Sequence, residues 1–272
     1  MEDTMQIKLL GVRGTLPVHG PEFSCFGGAT SCVLVRAGGE TIILDAGTGL
    51  SGRAWERFFP EKHFTLLISH AHVDHLMGFP VFPPLFDPTV TCDIYLKSRE
   101  GRSAQAQLET LMSPPLWPVT TGSMGAALTF HDVPPFFRVG PVAVETMESR
   151  HPGGSTIYKL SLDGVSVVYA TDFEPESGAP GDILDFCDFA RGCSLLLLDA
   201  QYTQEEYAHT RGFGHSTIPR SLALARTSGA RQTIFIHHDP KRTDAQLLDL
   251  EASVRAQSDS ITFGREGKEV FL

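Results

Sequence analysis

The stretch His70-Ala71-His72-Val73-Asp74-His75 decides how this 272-residue chain is interpreted. It follows an apolar run, Phe64–Ser69, which is suited to a strand buried on both faces. Imidazoles and carboxylates that converge on one place are what divalent metals require. A lone buried histidine is more often a satisfied core residue than a ligand. Here that alternative does not account for several such residues close together, because each buried polar group without a hydrogen bond would cost roughly 1–3 kcal/mol.

Other acidic and imidazole residues also stand where predicted strands end. Strand ends that face the same rim converge in space, so we expect these side chains to meet those of the first stretch. The residues are Asp45, Asp172, Asp199 and His237, after strands predicted over Thr41–Leu44, Val165–Ala170, Ser194–Leu198 and Thr233–Ile236.

The remaining pattern predicts one domain over residues 1–272, with two sheets flanked by helices. Strands dominate, helices come between and after them, and no boundary or repeat stands out. Further strands are predicted over Ser31–Arg36, Asp93–Lys97, Ala127–Phe130, Val142–Thr146, Thr156–Leu162 and Glu269–Leu272, and helices over Ser103–Leu111, Ser216–Thr227 and Thr243–Ala256.

Charge and composition limit the partners. A net charge of −10 repels a phosphate backbone, so we expect no large nucleic acid as partner, although a small anionic substrate fits if metals reverse the local field. The start of the chain has no signal peptide, and no apolar run is long enough for a bilayer. The five cysteines are scattered, as is typical of free thiols in a reducing compartment. We therefore expect a cytoplasmic protein with no membrane contact.

The motif HxHxDH, here His70, His72, Asp74 and His75, resembles the signature of the metallo-β-lactamase superfamily. The similarity spans nearly the whole chain and implies an αββα sandwich, with two mixed β-sheets flanked by helices. It also implies two divalent metal ions, zinc in the first instance, with manganese or iron also compatible with the donors. By this resemblance, one metal is held by His70, His72 and His151, the second by Asp74, His75 and His237, with Asp172 bridging them and Asp45 supporting the site from behind.

Within the superfamily, several stretches resemble the phosphodiesterase branch, which includes ribonuclease Z. Two-zinc β-lactamases use a cysteine where this chain has Asp172, so antibiotic hydrolysis is not expected. The opening Gly11-Val12-Arg13-Gly14-Thr15 fits the phosphodiesterase branch, as does Gly214-His215-Ser216-Thr217. The resemblance implies a metal-bridging hydroxide that Asp74 could orient, with His215 as general acid and Asp199 holding its imidazole. The alternative for His215 is a surface histidine that caps a helix.

The substrate implied is a small phosphodiester such as a cyclic nucleotide. The arm with which ribonuclease Z grips tRNA is inserted between the third histidine and the bridging aspartate, and here that interval holds only a tight hairpin. Two alternatives stay open: a lactone, thioester or carboxyl-ester hydrolase on the same metals, and a non-catalytic metal-binding sensor.

Two points are left undecided by the sequence. His237 and His238 are adjacent, so only one of them can face the metals, and the resemblance favours His237. The loops Phe79–Phe86 and Pro114–Pro118 either border the mouth of the site or serve packing or a homodimer interface, and we favour the second interpretation.

Overall fold

Two seven-stranded sheets build the part of the chain that the computed structural model describes, namely residues 5–52, 62–175 and 180–272. The first sheet contains β1 (Met5–Gly11), β2 (Cys32–Ala37), β3 (Glu40–Leu44), β4 (His63–Ile68), β5 (Thr91–Leu96), β6 (Ala127–His131) and β14 (Glu269–Phe271). The second contains β7 (Phe136–Val139), β8 (Val142–Ser149), β9 (Ser155–Leu162), β10 (Val165–Ala170), β11 (Leu195–Asp199), β12 (Gln232–Ile236) and β13 (Ile261–Phe263). The helices are α1 (Ala104–Leu111), α2 (Pro180–Phe189), α3 (Gln204–Thr210), α4 (Ile218–Ser228) and α5 (Asp244–Arg255).

Both sheets are mixed, and each has a parallel part. The first sheet runs β14-β1-β2-β3-β4-β5-β6, with β3 to β6 parallel to one another. The second runs β13-β12-β11-β10-β9-β8-β7, with β10 to β13 parallel. In parallel strands the carboxyl ends share one edge, so the loops after β3, β4, β10, β11 and β12 can meet at a common rim.

Three apolar layers hold the sheets and helices together. Between the sheets, side chains such as Leu67 of β4 and Leu197 of β11 are fully buried. The outer face of the first sheet is covered by α1, through Leu108. Helices α2, α4 and α5 cover the outer face of the second sheet, for example through Phe186 and Leu222. This layering confirms the predicted αββα sandwich, with two mixed β-sheets flanked by helices.

The loop Phe79–Phe86 serves mainly packing. Phe79 and Phe82 are almost fully buried in the layer outside the first sheet, while Phe86 is 47% exposed. In the second loop, Trp117 packs against the same layer and Leu116 is 65% exposed. Both loops therefore contribute to the core, as the favoured interpretation expects.

The connection between β9 and β10 consists of Asp163 and Gly164 alone. Both residues have positive φ, 49° and 81°, as a two-residue hairpin turn of this hand requires. This confirms the hairpin predicted between His151 and Asp172.

The helices are short. The longest in the described part of the chain, α5, has 12 residues, whereas a bilayer span needs about 20 apolar ones. Within residues 5–52, 62–175 and 180–272, no helix has the length and hydropathy to cross a membrane.

Candidate metal centre

Eight of the predicted site residues meet at one rim of the sandwich. The first sheet contributes the loop after β4, and the second sheet contributes residues after β8, β10 and β12 and in the loop before α4. The eight are His70, His72, Asp74, His75, His151, Asp172, His215 and His237. Apart from His72 and His151, they are buried.

The side chains form two groups that share Asp172. We call His70, His72 and His151 the first ligand group, and Asp74, His75 and His237 the second; the three ligand atoms of each group lie within 4.8 Å of one another.

Asp172 faces the two groups with different oxygens. Its Oδ1 lies 3.7 Å from His70 Nε2 and 3.8 Å from His151 Nε2. Its Oδ2 lies 3.1 Å from His75 Nε2 and 3.3 Å from His237 Nε2. A carboxylate in this position can bridge two cations.

The donor set fits divalent cations. The Nε2 atom of His70 is buried and forms no hydrogen bond in the described part of the chain, whereas His75 Nε2 lies 3.1 Å from Asp172 Oδ2 and 3.3 Å from Asp74 Oδ2. His72 Nδ1 and His151 Nε2 face each other at 3.0 Å. Buried ring nitrogens without a partner are costly, and a cation between them would use their lone pairs.

Supporting hydrogen bonds orient the second ligand group. His75 donates from Nδ1 to Asp45 Oδ2 at 2.7 Å, which leaves Nε2 directed into the rim. Asp45 is held in turn by the Ser69 backbone N–H and by the Tyr169 hydroxyl. His237 Nδ1 lies 2.9 Å from Gln201 Oε1. Such contacts set the tautomer and direction of a metal-binding imidazole.

Backbone strain concentrates at the same rim. Asp45, Asp172 and His237 have φ angles of 59°, 52° and 61°, a region that non-glycine residues rarely adopt. Gly14 approaches the rim so closely that a Cβ there would lie 2.3 Å from the His237 ring. Unfavourable backbone conformations persist where the surrounding structure holds them, often at functional sites.

His215 lies beside both ligand groups. Its Nδ1 is 2.8 Å from Asp199 Oδ2, and its ring stacks on that of His237 with centroids 4.7 Å apart. Asp199 is fully buried and also accepts hydrogen bonds from the backbone N–H groups of Asp172 and Ser216. Although His215 stands two residues before the helix cap Thr217, its ring faces the rim and is buried.

The loop before His215 is held by Glu174, a buried carboxylate. Glu174 accepts hydrogen bonds from the backbone N–H groups of Gly212 at 2.6 Å and Gly214 at 2.9 Å. It also accepts the Tyr207 hydroxyl at 2.7 Å. The carbonyl of Gly214 lies 3.0 Å from His151 Nδ1, so one carboxylate positions both the His215 loop and a member of the first ligand group. We call this arrangement the Glu174 clamp.

Of the two adjacent histidines, His237 faces the rim and His238 does not. His238 Nε2 lies 3.0 Å from the Gly264 carbonyl, and its ring packs against Phe26 and Phe263. Burial lowers the pKa of His238 to about 3, so it is a neutral core residue.

Electrostatics differ between the two ligand groups. Burial lowers the pKa of His70 well below its ordinary value and that of His151 to about 4, so these rings are neutral, as metal binding requires. In the second group burial opposes a charged ring, but Asp172 and Asp74 outweigh it. Together they raise the pKa of His75 well above its ordinary value and that of His237 to about 9. A divalent cation would take the place of those protons between rings and carboxylates.

Several supporting residues were not identified from the sequence. Gln201 and Glu174 act through long-range contacts, and the Thr15 backbone N–H donates to Asp74 Oδ2 at 2.7 Å from a residue 59 positions away. The only local signal was the acidic residue two positions after Asp172, in Asp172-Phe173-Glu174-Pro175.

Comparison with known proteins agrees with this geometry. A curated ribonuclease Z from Bradyrhizobium sp. (strain ORS 278) is 23% identical over an alignment of 292 residues, which covers 89% of this chain and 92% of that protein. Among solved structures, the metallo-β-lactamase fold protein YhfI from Bacillus subtilis aligns with a TM-score of 0.74 at 16% identity over 99% of each chain. A diphosphatase of the PhnP family aligns with a TM-score of 0.71 at 17% identity over 98% of each. These structural likenesses show a shared fold.

A sequence model of the beta-lactamase superfamily domain matches residues 40–238, which is most of the chain and includes every residue of the rim. The chain belongs to this superfamily and is a metal-dependent hydrolase.

Proposed function

We propose that this member of the beta-lactamase superfamily hydrolyses small phosphodiesters, such as cyclic nucleotides, at a centre of two divalent cations. The observation that carries the proposal is the buried His215–Asp199 pair beside both ligand groups, at 2.8 Å. The alkoxide that leaves a phosphodiester needs a proton, whereas an acyl centre with a good leaving group needs no dedicated acid.

The residues of the rim would hold the cations as two ligand sets. The first ligand group would bind one cation, the second ligand group the other, and Asp172 would lie between them. Zinc suits these imidazole and carboxylate donors, and manganese and iron share them. Once bound, two such cations activate water and stabilise charge on the oxygens of a phosphate.

The protonation step is assigned to His215. Because Nδ1 faces Asp199, the proton that reaches the leaving oxygen has to come from Nε2. Asp199 holds the ring in that tautomer and stabilises its charged form, as carboxylates do for catalytic imidazoles. Asp74, anchored by the Thr15 backbone N–H, is assigned the orientation of the attacking water.

A small substrate is supported by topology and charge. Between β9 and β10 the chain has only the Asp163-Gly164 turn, where ribonuclease Z is expected to carry its tRNA-gripping arm. The net charge of −10 also disfavours a long phosphate backbone.

Both sheets supply ligands to one centre, which is why we treat residues 1–272 as a single domain. Its five free cysteines fit a cytoplasmic location.

The test compares two esters of one alcohol. Zinc-loaded protein should cleave bis(p-nitrophenyl) phosphate with a higher kcat/KM than p-nitrophenyl acetate. The opposite order would assign the protein to carboxyl-ester or lactone hydrolysis, and metal binding without cleavage of either ester would indicate a sensor. A panel of cyclic mononucleotides and dinucleotides would then narrow the substrate.

A further inference from the structure

A pocket of about 290 Å³ borders the first ligand group. Its lining includes His70 and His72 of that group and two arginines, Arg99 and Arg102. The net charge of the chain is −10, so two neighbouring cationic side chains beside the rim make this part of the surface locally positive.

A tight turn places the two arginines together. Arg99 and Arg102 exchange both backbone hydrogen bonds, at 3.1 and 2.8 Å, across Glu100 and Gly101. The φ angles of these central residues are 51° and 72°, which define a two-residue turn of the type that joins paired strands. Directly paired residues project their side chains from the same face, and like charges placed in this way repel.

Arg99, which lines the pocket, is held by several contacts. Its guanidinium forms an ion pair with Glu148 and donates to Thr156 Oγ1 at 3.2 Å. It also lies against Gly154, where a Cβ would come within 2.0 Å of Nη1. Glu148 pairs with Lys97 as well, at 2.7 Å, so one carboxylate faces two cations.

Arg102 also lines the pocket and is exposed. Its Nη1 donates to Thr110 Oγ1 at 3.2 Å. Within the described ranges, no carboxylate lies at salt-bridge distance from Arg102, although Glu100 also lines the pocket. The positive charge beside the first ligand group is therefore only partly compensated.

We propose that Arg102, with Arg99 behind it, forms an anion subsite for a second phosphate or carboxylate on the substrate. The inference rests on the proposed function, since the scissile phosphodiester is placed at the neighbouring rim. It selects diesters with a second anionic group, such as dinucleotides, over diesters whose only charge is at the scissile phosphorus. Guanidinium groups suit this role because they bind phosphate and carboxylate oxygens bidentately.

The test measures binding, without requiring turnover. Alkyl monophosphates and the matching alkanediyl bisphosphates, with two to six carbons, are titrated calorimetrically into zinc-loaded protein. At one chain length or more, the bisphosphate should bind about 10-fold tighter than the monophosphate, the effect of about one charge-assisted hydrogen bond. Arg102→Gln should abolish this gain.

Arg191→Gln is the matched control, because Arg191 is exposed, follows α2 and precedes β11 at the opposite end of the second sheet. It should keep the full gain. A bisphosphate gain that survives Arg102→Gln, or no gain at any chain length, would overturn the subsite even if diesters are hydrolysed. A gain that Arg102→Gln removes, in a protein that cleaves no diester, would support the subsite and contradict the proposed function instead.

Discussion

The two sheets supply the rim in different ways. The first sheet contributes four of the eight residues from one loop, His70 to His75, immediately after β4. The second sheet contributes His151, Asp172, His215 and His237 from four separate connections. Neighbours in one loop share a local backbone, whereas dispersed residues are aligned only by the sheet and by contacts such as the Glu174 clamp. The second-sheet half should therefore be the easier half to disturb without losing the fold.

The largest effect is expected from Asp172, a residue of the second-sheet half that faces both ligand groups. Asp172→Ala removes the carboxylate that faces both ligand groups, so zinc content should fall well below two per chain and phosphodiesterase activity should drop to background. His72→Ala, in the first-sheet half, should lose zinc from the first ligand group and activity with it. Elemental analysis and kcat/KM on bis(p-nitrophenyl) phosphate measure both. A fully loaded, active Asp172→Ala protein would contradict the shared-ligand arrangement.

A smaller but still large effect is expected at His215, in the second-sheet half. On a phosphodiester with an alkyl leaving group, His215→Ala should keep both cations and a nearly unchanged KM, while kcat falls about 10²–10⁴-fold, the usual contribution of a positioned acid. Asp199→Asn should reduce kcat in the same direction but less, because it misorients the ring instead of removing it. Loss of zinc in His215→Ala would show that His215 is a ligand.

The third prediction concerns Asp45, which supports the first-sheet loop through its hydrogen bond with His75. Asp45→Asn weakens the hydrogen bond from His75 Nδ1, so affinity for the cation of the second ligand group should fall about 10–100-fold. The other cation should be held as in the parent protein. Competition with a zinc chelator resolves the two affinities. An equal loss at both positions would mean that Asp45 serves the fold of the loop, not the direction of one ring.

The smallest effect is expected from the Glu174 clamp. Glu174→Gln keeps the shape but weakens the hold on the Gly212 and Gly214 N–H groups, so kcat should fall about 10-fold with zinc retained. Tyr207→Phe removes only the third contact of the same carboxylate and should cost less. If Tyr207→Phe lowers kcat as much as Glu174→Gln does, the contacts to the loop are not what matters.

The same contrast explains what could be predicted from the sequence. The residues of the first-sheet loop are contiguous, so their motif can be recognised directly in the sequence. The strands around the loop are short apolar runs, and their bounds were predicted to within a few residues. Strand β1, which lies between β14 and β2, was missed although Met5–Leu9 alternates apolar and polar residues, the pattern of a strand. Helix α3 was also missed, although Thr203 and Glu206 form a capping box that the sequence displays.

Contacts between residues far apart in the chain could not be predicted from the sequence. Strand alternation shows that only one of His237 and His238 can face the rim, but choosing between them depends on the backbone of His237, with φ of 61°. Gln201, which contacts His237, carries no local signal of that partner, and Glu174, which holds the loop before His215, is marked only as an acidic residue two positions after Asp172. Their roles arise from the packing of one connection against another.

The most direct measurement of the central claim is the dependence of kcat on the leaving group, across aryl and alkyl phosphodiesters, for the parent protein and His215→Ala. If His215 protonates the departing oxygen, the variant should lose most activity on alkyl leaving groups and little on p-nitrophenolate, which departs without a proton. The account therefore predicts a steeper dependence on the leaving group's pKa in the variant. An equal loss on every leaving group, with both cations still bound, would contradict it.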